Sequence, residues 1–225
     1  QTWKDNTKNS TSFFLAFFII FPGTNQKLIK DLKLENKPNI ILLQNFTTES
    51  GVFYATINLS FEVFGPALHT APIVLVNHAL TGNSQVVGET GWWNDLIGEN
   101  KTINTHRYTV VAFNVPGNGY DATIVENHLD FNARDICRLF IEGLQFLKIK
   151  KVHALIGGSV GGGIAWETIA LQPKITQHFI PIATDWKATD WLIANCFLQE
   201  QILNNSSKPI EDARIHAMLC YRTPE

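Results

Sequence analysis

Apolar and polar residues alternate along VFYATINLSFEVF, residues 52–64, at the period of two that a half-exposed strand requires. Two later runs do not alternate. PIVLVN (72–77) and YTVVAFN (108–114) are short, unbroken and β-branched, which suits strands buried on both faces of a parallel sheet. Phe131, Ile136, Leu139, Phe140 and Leu144 then recur mostly at three- and four-residue steps, which predicts a helix with Asp130 as its N-cap. VHALI (152–156) predicts another buried strand, the stretch from about Gly162 to Leu171 a helix, and HFIPIAT (178–184) a further strand. After Asp185 the pattern is helical to the end. Regularity begins at about Ile40, and strand and helix alternate from there. That order predicts an α/β fold, a mostly parallel sheet flanked by helices and joined by right-handed crossovers.

Composition narrows this picture only a little. The chain has 225 residues, enough for one domain with a sizeable core. A net charge of -2 and a pI near 6.4 give no electrostatic reason to expect nucleic acid or an anionic membrane as partner. Cys137, Cys196 and Cys220 are odd in number and lack metal-type spacing, so free thiols in a reducing, cytoplasmic compartment are expected, and no bound metal. The histidines His69, His106, His128 and His153 share no metal-like spacing either, and Asp121, Asp185 and Asp190 read as turn or cap residues. The sequence starts without Met, and FFLAFFIIF (13–21) is too short to span a bilayer; it suits a signal-peptide core but lacks a small-x-small site after it, so secretion is the lesser reading. Residues 1–40 are read as a leader of unclear relevance, and 41–225 as the domain.

The chemistry centres on LIGGSVGGG, residues 155–163. Gly157-Gly158-Ser159-Val160-Gly161 fits G-x-S-x-G directly after a buried strand and directly before a helix. There the motif has mechanical meaning: a sharp turn lifts the serine oxygen clear of the sheet, and the helix N-terminus offers free N–H groups to developing negative charge. Ser159 is therefore the candidate nucleophile. A packing turn is the plainer alternative, and a phosphate loop is disfavoured by the missing Gly-Lys-Ser/Thr ending. Strand 72–77 is followed at once by His78-Ala79-Leu80-Thr81-Gly82-Asn83. In serine hydrolases of this architecture one oxyanion N–H comes from that loop and the other from the residue after the nucleophile. Leu80 and Val160 are the candidates, while His78 by itself reads as a strand-ending turn.

NHALTGNS, GWWNDLIGENKTINTHRY, LIGGSVGGG, PIAT and ARIHAMLCYRT, in this order, resemble the homoserine O-acetyltransferase branch of the α/β-hydrolase superfamily. The resemblance runs from about residue 45 to the end, and Trp92 and Trp93 are among its more specific marks. It implies an α/β-hydrolase fold with a helical lid over 186–225, and ping-pong acyl transfer within methionine biosynthesis. Ser159 would take an acetyl group from acetyl-CoA, a co-substrate with no cofactor bound, and the hydroxyl of homoserine or a related hydroxy amino acid would remove it. The A-R-x-x-x-M-L-x-Y-R pattern places the family's carboxylate-gripping arginine on Arg214. A homodimer is left open. Trp186 and Trp191 line an acyl pocket or pack in the core.

Three departures accompany the resemblance. Asn114-Val115-Pro116-Gly117-Asn118-Gly119-Tyr120 stands where the family has a G-G-C-x-G-S-x-G-P stretch, and Gln199 stands for a common arginine. Both leave the acyl acceptor open, so a serine esterase is the second reading. After Ser159 the histidines are His178 and His216, and neither follows an acid in a late strand-end loop. The catalytic Asp and His and the last strands are thus expected to lie outside this sequence. It reads as C-terminally incomplete and, taken alone, inactive.

Overall fold

Why the central strands form is plain from their side chains. In β3 (Ile73–Asn77) and β6 (Thr109–Phe113) every residue is buried, and each large aliphatic side chain removed from water contributes about 1.5–3 kcal/mol. The computed structural model describes residues 38–221 other than 124 and 126; the leader expectation, apart from its last three residues, lies outside that range. The described chain forms two compact bodies, residues 38–186 and 187–221.

The first body carries a six-stranded sheet in the order β1-β2-β6-β3-β7-β8. Its members besides β3 and β6 are β1 (Asn39–Thr47), β2 (Phe53–Phe64), β7 (Val152–Gly158) and β8 (Thr176–Ile182). β1–β2 and β2–β6 pair antiparallel, whereas β6–β3, β3–β7 and β7–β8 pair parallel. The carboxyl ends of the four parallel strands therefore lie along one edge, where open α/β sheets place their sites. A minor parallel pairing joins β4 (Ile97–Gly98) to β5 (Ile103–Asn104).

Three expectations shift. β1 and the β4–β5 pairing are strands that the hydrophobic pattern did not predict, and β1 already includes residues 39 and 40. The helix near 130 is α1 (Ala133–Phe146), and its N-cap is Asn132, not Asp130. Asn132 Oδ1 accepts from the Asp135 N–H at 2.9 Å, and Asp135 Oδ2 accepts from the Asn132 N–H at 3.1 Å, a reciprocal capping box. The reason lies in Phe131. Its ring is buried against Tyr54, centroids 5.0 Å apart, and seating it keeps residues 131 and 132 extended. Asp130 instead closes a short 3-10 turn and accepts from the Tyr54 hydroxyl at 2.6 Å.

α2 (Val160–Leu171) follows β7 directly. Its buried face meets α1, where Cys137 Sγ and Thr168 Oγ1 stand 3.3 Å apart. α1 in turn lies close on the sheet: a Cβ at Gly143 would fall 2.7 Å from both Leu59 and Phe113.

The second body is a helix pair, α3 (Asp190–Asn205) and α4 (Pro209–Tyr221). The described residues after Asp185 are thus helical except for a lead-in to Thr189 and a break at 206–208. Thr189 caps α3 by accepting from the Leu192 N–H. Gln199 joins the two helices, its Nε2 donating to the Ala213 carbonyl at 3.0 Å and to His216 Nδ1 at 2.7 Å. Trp186 and Trp191 are exposed, at 66% and 75%. The core-packing alternative for them does not hold, because neither is covered by its own body.

Candidate active site

A single residue, Ser159, separates β7 from α2. Its backbone stands at φ 52°, ψ -118°, a conformation that costs a non-glycine residue about 1–3 kcal/mol and persists only where its surroundings enforce it. Those surroundings are visible. The Ser159 N–H donates to the Ile182 carbonyl of β8 at 2.9 Å, and its carbonyl accepts from the Gly163 N–H at 3.0 Å. A Cβ at Gly157 would collide with the Gly161 carbonyl, and one at Gly161 with the carbonyl oxygens of Asn77 and His78. Gly162 is closed in the same way by the Thr184 methyl group. The glycines let β7, β3 and α2 approach so closely that only a strained turn can join them. A serine holds the one position where glycine would be the easy choice. Its side chain makes no helix-capping bond and the residue is exposed, as an attacking hydroxyl must be.

The close approach at Gly161 also sets the neighbouring loop. Asn77 ends β3, and its Nδ2 reaches the Gly161 carbonyl at 3.3 Å, while its Oδ1 is buried without a partner among the described residues. Beyond it, the Gly82 N–H donates to the Ala79 carbonyl at 2.9 Å, closing a turn around Leu80. The loop and the first turn of α2 therefore meet at the same strand ends. Val160 opens that helix, where the first N–H groups have no partner within it.

His78 is buried, with both ring nitrogens engaged. Nε2 accepts from the Val115 N–H at 3.0 Å, and Nδ1 lies 2.7 Å from the Ala79 carbonyl. A backbone N–H can only donate, so Nε2 carries the lone pair and Nδ1 the proton. Burial pushes the imidazole down to about 4, opposed by the bond to Ala79. The unfolded chain, with an ordinary histidine near 6.5, binds the proton first as pH falls. Stability from this group is therefore intact above pH 6.5 and declines towards pH 4, by about 3 kcal/mol in all. Urea unfolding at pH 7 and pH 4.5 should show that loss, and a His78→Asn variant should show less of it.

A polar cluster backs the loop. The Ser84 N–H donates to Asn114 Oδ1 at 2.7 Å, the Ser84 hydroxyl to Glu62 Oε2 at 2.5 Å, and Asn114 Nδ2 to Ser60 and Ser84 at 2.9 Å each. Asn118 adds a bond to Asn114 Oδ1 at 3.2 Å. Burial raises the Glu62 carboxyl, and burial with the nearby Glu62 pushes the Tyr120 hydroxyl up to about 12. The 114–120 segment is thus wired into this loop. Trp92 and Trp93 form its floor. Their rings lie 4.3 Å apart, Trp92 Nε1 donates to the Asn83 carbonyl at 2.8 Å, and Trp93 lies 3.3 Å from where a Cβ at Gly158 would be.

Of the expected site residues, Ser159, Val160 and Leu80 therefore lie along one sheet edge. Arg214 lies exposed on α4 of the second body. His178 pairs in register with Ala154, towards the opposite end of β7 from the serine, and packs edge-on against His153. Asp121 and Asp185 each accept a local backbone N–H, as turn residues do.

The model of the alpha/beta hydrolase fold matches residues 72–206, from β3 through α3. The chain belongs to the alpha/beta hydrolase fold family. Within that family its similarity runs to homoserine O-acetyltransferases. One from Moorella thermoacetica is 34% identical over 176 residues, covering 69% of this chain and 47% of the relative. A solved homoserine O-acetyltransferase from Staphylococcus aureus superposes with a TM-score of 0.71 at 30% identity, over 83% of this chain and 59% of that one. A solved acetyl esterase matches at TM-score 0.67 and 17% identity, over 82% of this chain and 58% of the other, a likeness of fold alone. This hydrolase-fold chain spans about half the length of the curated relatives it matches. Among the described residues no helix is long and apolar enough to cross a membrane.

Proposed function

We propose that the protein is an O-acyltransferase that moves an acetyl group from acetyl-CoA to the hydroxyl of homoserine through an acyl-Ser159 intermediate. The observation that carries this reading is the enforced φ of 52° at an exposed serine between β7 and α2. The Ser159 oxygen attacks the thioester carbonyl carbon, and negative charge develops on the carbonyl oxygen. The N–H groups of Leu80 and Val160 stabilise that charge. The carbon–sulfur bond breaks and the CoA thiol leaves with a proton. The acceptor hydroxyl then attacks the acyl-serine carbon, the bond to Ser159 breaks, and the serine regains its proton. Arg214 holds the acceptor carboxylate through two parallel N–H donors.

The serine needs a base. Among the described residues none is hydrogen-bonded to its hydroxyl, both nitrogens of His78 are engaged, and His178 is a strand's length away. The chemistry is accordingly assigned to the full-length protein, acting on small molecules. The full-length protein incubated with acetyl-CoA should gain an acetyl mass on the peptide containing Ser159, with release of one CoA. No adduct together with no free CoA in the presence of any hydroxy amino acid sinks the proposal.

Hydrolysis is the second reading. It is favoured by the sequence of the 114–120 segment, which departs from the stretch that the acyltransferase resemblance leads one to expect there. Transfer and hydrolysis differ only in which acceptor reaches the acyl-serine, so acetate released faster than acetylated amino acid selects hydrolysis.

A further inference from the structure

We propose that His78 is a positioning residue of the oxyanion site, its ring holding the Ala79–Leu80 peptide unit so that the Leu80 N–H faces the acyl oxygen. The inference rests on the reading of Ser159 as the acylated residue and goes beyond it, because it gives a role to a side chain that never touches substrate.

The argument is one of peptide geometry. In a planar trans peptide the C=O and the following N–H point in opposite directions. The carbonyl of Ala79 and the N–H of Leu80 belong to one such unit. That carbonyl accepts twice, from His78 Nδ1–H at 2.7 Å and from the Gly82 N–H at 2.9 Å. With the carbonyl fixed from behind, the N–H is fixed in front. The turn bond from Gly82 alone would leave the unit free to swing, since Thr81 is exposed and Leu80 only half-buried. A hydrogen bond to the carbonyl also polarises the amide, which strengthens its N–H as a donor.

The ring is itself held. Val115 donates to Nε2 at 3.0 Å, and Val115 follows β6, the parallel neighbour of β3, with Asn77 and Phe113 in register. The imidazole therefore bridges two loops at the carboxyl ends of adjacent strands. Only the Nδ1–H tautomer serves both bonds. The same arrangement removes His78 from proton transfer, because neither nitrogen is free to face Ser159.

Two variants divide the ring's functions. In His78→Asn the carboxamide nitrogen takes the place of Nδ1 and keeps the bond to Ala79 while losing Val115. In His78→Gln the carboxamide oxygen takes the place of Nε2 and keeps Val115 while losing Ala79. In the full-length protein, with an acetyl p-nitrophenyl ester as probe, the acylation rate of Ser159 should fall about a hundredfold in His78→Gln and less than about tenfold in His78→Asn. KM should stay unchanged in both, and their unfolding midpoints should be similar. Histidine nitrogen NMR of the wild type should find His78 as the Nδ1–H tautomer. An Nε2–H tautomer overturns the proposal even if both variants fail to fold. So does a His78→Gln that acylates at the wild-type rate, or equal losses in the two variants. A wild type that takes no acyl group from the probe overturns the acyl-enzyme reading and this inference together. An acylated wild type with an unaffected His78→Gln overturns the inference alone.

Discussion

Ser159→Ala should lower acyl transfer in the full-length protein by about four to six powers of ten while leaving the fold in place. The size follows from what is removed. Without the hydroxyl no covalent intermediate forms, and what remains is binding and the two N–H groups at the oxyanion position. The fold should persist because the strained turn is held by its backbone, through the Ser159 N–H to Ile182 and the Gly163 N–H to the Ser159 carbonyl, and alanine keeps both bonds. Unfolding free energies of the two proteins should agree within about 0.5 kcal/mol. Turnover within tenfold of the wild type would move the nucleophile elsewhere, and the strain at residue 159 would then lack its explanation.

Gly161→Ala should be severely damaging although it leaves every reacting group intact. The added Cβ meets the carbonyl oxygens of Asn77 and His78, which are backbone atoms at the end of a fully buried strand and have nowhere to go. Either α2 lifts from β3 or the strand end shifts. We expect a stability loss of about 2–4 kcal/mol, read from urea unfolding. Ser159 acylation should fall further than stability explains, because the same displacement separates the loop around Leu80 from the serine. A folded variant of normal stability and acylation rate would mean that the contact is slack.

The two predictions draw on different sources. The tight turn at Ser159 was legible in the sequence, since the glycine pattern stands directly between an apolar β-branched run and a helical one, and the strand, the turn and the helix are found there. The interior strands were legible for the same reason: 72–77 and 108–114 were expected and Ile73–Asn77 and Thr109–Phe113 are found. β1 escaped because it lies at the sheet edge. Ile40 and Leu42 are 54% and 55% exposed while Ile41 and Leu43 are buried, so four consecutive apolar residues conceal an alternating strand. The α1 cap was misplaced by two residues because Asp130 and Asn132 can both cap, and burial of Phe131 decided between them. His78 could not be assigned its bonds at all. Its partner Val115 is 37 positions away, and no local pattern records that the two loops are neighbours.

That last point bears on the order in which the molecule acquires its site. The bonds that place the loop and the elbow join residues far apart in the chain: Asn77 with Gly161 across 84 positions, His78 with Val115 across 37, Ser84 with Asn114 across 30. Each requires a long segment to close before it yields any enthalpy, and closure of such loops is slow compared with helix formation. The helices α1 and α2 can begin from local contacts, but the turn at Ser159 cannot be held until β3, β7 and β8 stand side by side. We therefore expect the geometry of the turn to be among the last features to form on folding and among the first to be lost when the sheet loosens.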